Sequence, residues 1–199
     1  MELRRFFPKT NKVNYLKIDK VGEYSISRPY DAYIISNLIK MYIIEKELGE
    51  DLIITDATSC VGGNTISFCN FFNKVNAIEI DQKRFSYLCN NLKIYNFTNK
   101  TNLIKGNFLK IVPKINQDII FIDPPWGGKE YYKSKSMDIT VSEFEISEIA
   151  YDFLDKKYCK LIVLKLPYNY NLNNFNKKKY DIRQILIRKK ILILFISLK

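Results

Sequence analysis

The sequence contains no histidine, and its four cysteines, Cys60, Cys69, Cys89 and Cys159, stand far apart with no Cys-x-x-Cys pair. A zinc site would therefore lack its usual ligand set, so no metal is expected, and the thiols read as reduced, small apolar packing groups. Long apolar runs are also missing. The start, Met1-Glu2-Leu3-Arg4-Arg5-Phe6-Phe7-Pro8, has no apolar core of signal-peptide length, and the later runs are too short to span a bilayer. An intracellular protein, cytoplasmic or nuclear, with no membrane partner is the expectation. No internal repeat and no linker is visible, and low complexity is confined to Asn- and Lys-rich patches. Those patches, with abundant Ile, suit an AT-rich genome such as a viral or parasitic one.

What is present suits one hydrophobic core. The chain has 199 residues, 47% of them hydrophobic and 27% charged, the balance of a soluble globular protein. Its 32 basic residues outnumber 21 acidic ones for a net charge of +11, which favours anionic partners such as nucleic acid through long-range attraction and counterion release. The plainer reading of the same charge is a solvated, solubilising surface.

Residues 1–28 form a short basic extension, and residues 29–199 carry the main domain. Pro29 opens a helix that ends at Gly49. From Asp51 short apolar runs alternate with amphipathic segments. The runs are 52–55, 75–80, 102–104, 119–122 and 161–164; the intervening helices are 63–72, 82–95 and 142–155, the last with Ser142 as N-cap. Two further β-rich runs, 180–187 and 191–197, flank Arg188-Lys189-Lys190 and read as an antiparallel hairpin. The pattern predicts an α/β protein with a mostly parallel seven-stranded sheet closed by that hairpin.

The sharpest local feature runs from Leu52 to Thr65, where a buried strand ends in Asp56 and a small-residue loop with Gly62 and Gly63 leads into Asn64-Thr65. Glycines there let backbone approach a ligand at the open strand ends of an α/β sheet, although a tight strand-to-helix turn needs them equally. The next strand places Glu79 at its end, about 20 residues beyond the loop, where a carboxylate can accept hydrogen bonds from both ribose hydroxyls. The loop has neither the Lys-Ser/Thr of a P-loop nor the full dinucleotide spacing, so a nucleoside-bearing cofactor without phosphate fits better. In Gly106-Asn107-Phe108, Asn107 can pair with an adenine edge and Phe108 cover its face; the bland alternative is a turn with a core aromatic.

At the fourth strand, Ile119-Ile120-Phe121-Ile122 delivers Asp123-Pro124-Pro125-Trp126-Gly127-Gly128 to the carboxyl edge. Such a loop suits methylation of an exocyclic amine. A side-chain oxygen and a proline carbonyl accept the amine hydrogens, the nitrogen lone pair is thereby aimed, and the aromatic stacks on the base. No strong general base is needed, so the missing histidine does no harm. Alone, the tetrapeptide is equally a rigid loop around a core tryptophan.

These motifs in this order resemble the trimethylguanosine synthases, the RNA cap guanine-N2 methyltransferases. The resemblance rests on Asp56-Ala57-x-x-x-Val61-Gly62-Gly63-Asn64-Thr65 and Pro124-Pro125-Trp126-Gly127-Gly128. It is supported by Lys17-Ile18-Asp19-x-x-Gly22-Glu23-Tyr24-Ser25-Ile26-Ser27, Met137-Asp138-Ile139 and Leu166-Pro167. It implies a Rossmann-like class I fold that uses S-adenosylmethionine and acts on capped RNA. Asp56, Gly62, Asn64, Thr65, Glu79, Asn107, Phe108 and Asp123 would then hold the cofactor, with Ser27 beside it. Asp123, Pro124 and Trp126 would be catalytic. Trp126 would stack on 7-methylguanine with a cation–π gain of about 1 kcal/mol. Ser25 and Tyr131 would line the substrate site, and Arg4, Arg5 and Lys9 would meet the cap triphosphate.

Three positions depart from the family pattern. Asp123 stands where the family has serine, Asn107 where it has aspartate, and Tyr168 where an arginine that binds the cap phosphates follows Leu166-Pro167. Lys165 or the N-terminal basic residues are the candidates to replace that arginine. Two other functions compete. One is methylation of adenine N6 or of internal guanine N2, which usually requires base flipping and often a target-recognition domain. The other is a catalytically silent RNA-binding subunit, against which the intact acids and Asp-Pro-Pro-Trp loop argue.

Overall fold

A computed structural model of the chain describes residues 3–128, 130–175 and 178–199. It divides into two compact units, Met1–Gln117 and Asp118–Lys199. The first unit begins with two 3-10 turns, Leu3–Arg5 and Val13–Tyr15, and then helix α1, Lys20–Ser25. Asp19 caps α1 by accepting the Gly22 N–H at 2.8 Å. Helix α2, Pro29–Glu45, starts on a proline whose fixed φ suits a first turn and whose missing N–H costs nothing there. It ends before Gly49, because Glu47 already takes a positive φ of 48°.

The rest of this unit alternates β1 (Ile53–Asp56), α3 (Gly63–Phe71), β2 (Lys74–Glu79), α4 (Gln82–Ile94), β3 (Thr101–Lys105) and the short α5 (Phe108–Ile111). The three strands are parallel in the order β3-β2-β1. Strands β1 and β2 are buried apart from their first residues, as continuous apolar runs in a parallel sheet must be, whereas β3 is only partly covered. A polar ladder crosses all three. The Asn76 side-chain amide donates to Thr55 Oγ1 at 3.0 Å, and that of Asn102 donates to Asn76 Oδ1 at 3.1 Å, between residues that are register partners.

The stretch ahead of α1 is tied down by side chains of α4. Asn91 on α4, fully buried, accepts the Lys17 N–H and donates to the Lys17 carbonyl, both at 2.8 Å, and donates to the Val61 carbonyl at 2.9 Å. Its neighbour Asn90 donates to the Tyr15 carbonyl at 2.8 Å. These bonds join the N-terminal segment to the loop after β1.

The second unit holds β4 (Ile119–Ile122), a two-stranded ribbon β5 (Thr140–Val141) and β6 (Phe144–Glu145), α6 (Ile146–Asp155), β7 (Leu161–Pro167), β8 (Tyr180–Ile187) and β9 (Ile191–Leu198). The order of its sheet is β4-β7-β9-β8. Strands β4 and β7 are parallel, β9 runs antiparallel to β7, and β8 to β9. The expected C-terminal hairpin is therefore present, turning through Arg188 and Lys189 at positive φ. The expected class, mostly parallel with antiparallel C-terminal strands, holds.

The predicted start of the helix over 142–155 needs correction. Ser142 does not cap a helix; it has a φ of 61° in the turn of the β5–β6 ribbon. The N-cap is Glu145, whose carboxylate accepts the Ser147 N–H at 2.6 Å while Glu148 accepts the Glu145 N–H at 3.2 Å. A reciprocal capping box outcompetes a lone serine. Among the described residues, no helix is long and apolar enough to cross a membrane, and no group of three or more His, Cys, Asp or Glu side chains could hold a metal.

Replacing Asn91 with alanine removes the partner of the buried Val61 carbonyl and of the part-buried Lys17 N–H and carbonyl. Unfolding in urea should show a loss of about 2–4 kcal/mol, and a change below about 0.5 kcal/mol would mean that the clamp is not structural.

Candidate functional site

In the first unit the polar residues gather around the loop that follows β1. Asp56, 1% exposed at the end of β1, accepts the Thr65 hydroxyl at 2.6 Å through Oδ2, which docks the first turn of α3 onto the strand. The Ser59 hydroxyl donates to the Asp56 carbonyl, and the Ser59 N–H to the Ile78 carbonyl of β2, both at 2.9 Å. Gly62 takes a φ of 103°, and its N–H donates to the Ser59 carbonyl at 2.8 Å, closing the turn. At Gly63 a Cβ would meet Ile26 Cγ1 at 2.5 Å and the Ser27 carbonyl oxygen at 2.8 Å. Only glycine allows the segment after α1 to lie this close, and that approach delivers Ser27 to the loop.

Ser27 Oγ and Asn64 Oδ1 of this cluster are buried and have no hydrogen-bond partner among the described residues. Orphaned polar atoms cost about 1–3 kcal/mol each, so a pair beside a glycine loop fits a cradle for a polar ligand. Ser25, two residues earlier, is exposed at the end of α1.

Glu79, at the end of β2, is 7% exposed and held from two sides. Oε2 accepts the Cys60 N–H at 2.8 Å and Oε1 accepts the Asp81 N–H at 2.7 Å. Arg84 lies 3.9 Å from Oε1 and also faces Asp19 at 3.6 Å and Asp81 at 3.5 Å. A carboxylate has about four lone-pair sites, so two stay available for the hydroxyls of a ribose. Burial, and then the Glu79 charge, push the Cys60 thiol up to about 12, so no thiolate competes in the loop near neutral pH.

Beyond β3 the Gly106 N–H donates to the Glu79 carbonyl at 3.0 Å. Asn107 then caps α5, its Oδ1 accepting the Leu109 N–H at 2.9 Å, and Phe108 is buried. The amide oxygen of Asn107 is thus engaged by its own helix. Arg4 and Arg5 are exposed on the first 3-10 turn, with Phe7 buried just behind them.

The second unit presents the Asp-Pro-Pro-Trp loop at the carboxyl end of β4. Carrying the parallel β4–β7 register one residue past Ile122 and Leu164 sets Asp123 beside Lys165. Lys165 Nζ donates to Asp123 Oδ2 at 2.6 Å, with side-chain exposures of 7% and 11%. The same ammonium lies 5.1 Å from the centroid of the Trp126 ring, whose N–H donates to the Lys165 carbonyl at 3.3 Å. Tyr131 packs against Trp126 at a centroid distance of 5.1 Å and 78° between planes. Pro124 is buried and Trp126 half-buried, so the indole is anchored yet reachable.

Lys165 is therefore not the substitute for a phosphate-binding arginine, since it is buried and committed to Asp123. Tyr168, where the family pattern has that arginine, is 46% exposed. The ion pair was missed in the sequence, although one lysine in the otherwise apolar run Leu161-Ile162-Val163-Leu164-Lys165-Leu166 signals a buried charge in need of a partner.

Comparison with known proteins adds the following. Residues 51–197 match the model of a family described as RNA cap guanine-N2 methyltransferase. An uncharacterised protein of Acanthamoeba polyphaga mimivirus is 35% identical over 147 residues, covering 71% of this chain and 57% of its own length. The trimethylguanosine synthase of Saccharomyces cerevisiae is 26% identical over 182 residues, covering 87% of this chain and 55% of that protein. The chain thus spans little more than half the length of these relatives. Among solved structures, a precorrin-6y C5,15-methyltransferase from Geobacter metallireducens superposes with a TM-score of 0.62 at 15% identity, covering 94% of this chain and 95% of that one. At such identity the likeness shows the fold, Rossmann-like and shared with methyltransferases.

Glu79→Gln tests the donor arrangement. Both carboxylate oxygens accept backbone N–H groups, so the amide must turn a donor toward a donor. The variant should lose about 1–3 kcal/mol of stability in urea unfolding even without ligand, and wild-type stability would refute the double anchoring.

Proposed function

The chain belongs to the RNA cap guanine-N2 methyltransferase family, and on that footing we propose that it methylates the exocyclic amine of a 7-methylguanosine cap on RNA, using S-adenosylmethionine. The observation that carries the reading is the loop after β4, where Asp123 is fixed by an ion pair next to an anchored but half-exposed Trp126. Such a loop offers an acceptor for amine hydrogens and a flat surface for a base.

Residues of the first unit fit the cofactor. Glu79 has lone pairs left for ribose hydroxyls, while Ser27 Oγ and Asn64 Oδ1 are buried and in want of a partner. Asp56, Gly62 and Thr65 shape the loop they share, and Phe108 would pack on the adenine, with Asn107 at its edge. When bound, S-adenosylmethionine supplies a sulfonium methyl whose positive charge activates it toward a neutral amine. Asp123 and the Pro124 carbonyl would accept the amine hydrogens and so direct the nitrogen lone pair, and the surplus amine proton would be lost to solvent. Trp126, edged by Tyr131, would stack on the base, and Ser25 is proposed as a further substrate contact. Arg4 and Arg5, exposed in the basic extension of residues 1–28, would meet the triphosphate.

A second reading has one observation in its favour. Asp123 is a carboxylate where the resembled family has serine, and a carboxylate is commoner in enzymes that methylate adenine N6 and other amines. Purified protein should transfer labelled methyl to 7-methylguanosine cap analogues and leave unmethylated analogues and an adenine-containing oligonucleotide nearly unlabelled; preference for the oligonucleotide would end the cap reading. Trp126→Ala should weaken cap binding by about 1–3 kcal/mol in a titration, and unchanged affinity would remove the stacking role.

A further inference from the structure

The pair formed by Lys165 and Asp123 sits directly against the aromatic surface proposed to receive the base. The carboxylate alone would attract a positively charged ring such as 7-methylguanine, and the indole face would add its own cation–π attraction. Lys165 opposes both. Its ammonium is 2.6 Å from Asp123 Oδ2 and 5.1 Å from the indole centroid, and with 7% side-chain exposure water screens it little. The backbone carbonyl of Lys165 also holds the indole N–H at 3.3 Å, so charge and ring keep a fixed separation.

The geometry points to Lys165 as a specificity-determining residue: by pairing with Asp123 against Trp126 it offsets the pull of the carboxylate, and so sets how strongly this loop prefers a cationic, 7-methylated guanine over an uncharged one. The inference rests on the proposal that Trp126 stacks on the acceptor base. Its sign is unusual. Removing the lysine should sharpen the preference for the methylated base, and removing the aspartate charge should blunt it, whereas a purely structural role for the pair would weaken both nucleosides alike. A base stacked on the indole lies about 8 Å from the charge; at an effective dielectric of about 20, one unit charge there is worth about tenfold or more in relative affinity.

Trp126 is the sole tryptophan of the sequence, so its fluorescence reports this site alone. Quenching titrations in mildly acidic buffer, with guanosine and 7-methylguanosine as nucleosides free of phosphate, give the ratio of the two dissociation constants. Lys165→Met should raise the preference for 7-methylguanosine about tenfold and Asp123→Asn should lower it by a similar factor, with the double variant returning within about threefold of wild type. Iodide and caesium quenching of the same indole, without any nucleoside, supplies the independent arm. Lys165→Met should reduce quenching by iodide and increase it by caesium, and Asp123→Asn should do the reverse. If wild-type protein binds neither nucleoside the cap reading falls, while the ion series still decides whether the pair sets the charge at Trp126. Should Lys165→Met fail to fold, Asp123→Asn alone carries the opposite-signed outcome. Ratios and quenching that stay put, or that move the same way in both variants, would overturn the inference.

Discussion

The carboxylate of Glu79 is fixed by two backbone N–H groups, one on each oxygen, and the first unit's polar cluster is arranged around that constraint. One donor, from Cys60, belongs to the loop after β1; the other, from Asp81, opens α4. A buried carboxylate without such donors would pay a large desolvation cost or take up a proton. Anchored this way it links two loops that parallel strands would otherwise leave independent, and Arg84, shared with Asp19 and Asp81, offsets part of the charge. The Cys60 N–H reaches Glu79 only because the loop turns back tightly, which the positive φ of Cys60 and of Gly62 permits. Close packing of Ile26 and Ser27 on Gly63 then brings the segment after α1 alongside.

Parallel strands buried on both faces leave only their carboxyl ends for polar chemistry. Asp56 and Glu79 terminate β1 and β2, and Asp123 follows β4 by one residue. That regularity is what made the site legible: apolar runs marked the strands, and an acid at the end of such a run is conspicuous. The same logic located β4 to the residue and the C-terminal hairpin nearly so. Helix ends were harder, since a cap depends on which of several nearby polar side chains wins. Glu145 prevailed over Ser142 because Glu148 could reciprocate, and α2 stopped at Glu45 because the chain turned left-handed at Glu47 before the glycine was reached.

Contacts between residues remote in sequence were invisible in principle. Asn91 is an unremarkable polar residue in an amphipathic helix until Lys17 and Val61 are seen to converge on it. Asn107 is the converse case. It drew notice for its place after β3, yet its amide oxygen serves the nearest helix, a local hydrogen bond of the kind asparagine forms readily.

Stability gives the pair of Asp123 and Lys165 only a weak rationale. Two well-packed apolar side chains in the same positions would hold β4 to β7 at least as well, because desolvating both charges consumes most of what their attraction returns. Breaking the pair from one side is nevertheless costly, so neither residue can change alone without exposing the other as an uncompensated buried charge. The arrangement gains little for folding but resists single substitution, and what lies beside it is the indole of Trp126. Serine, the residue at this point in the resembled family, needs no counter-ion. An aspartate in its place does, and Lys165, adjacent in register on the neighbouring strand, meets that need without adding net charge to the loop.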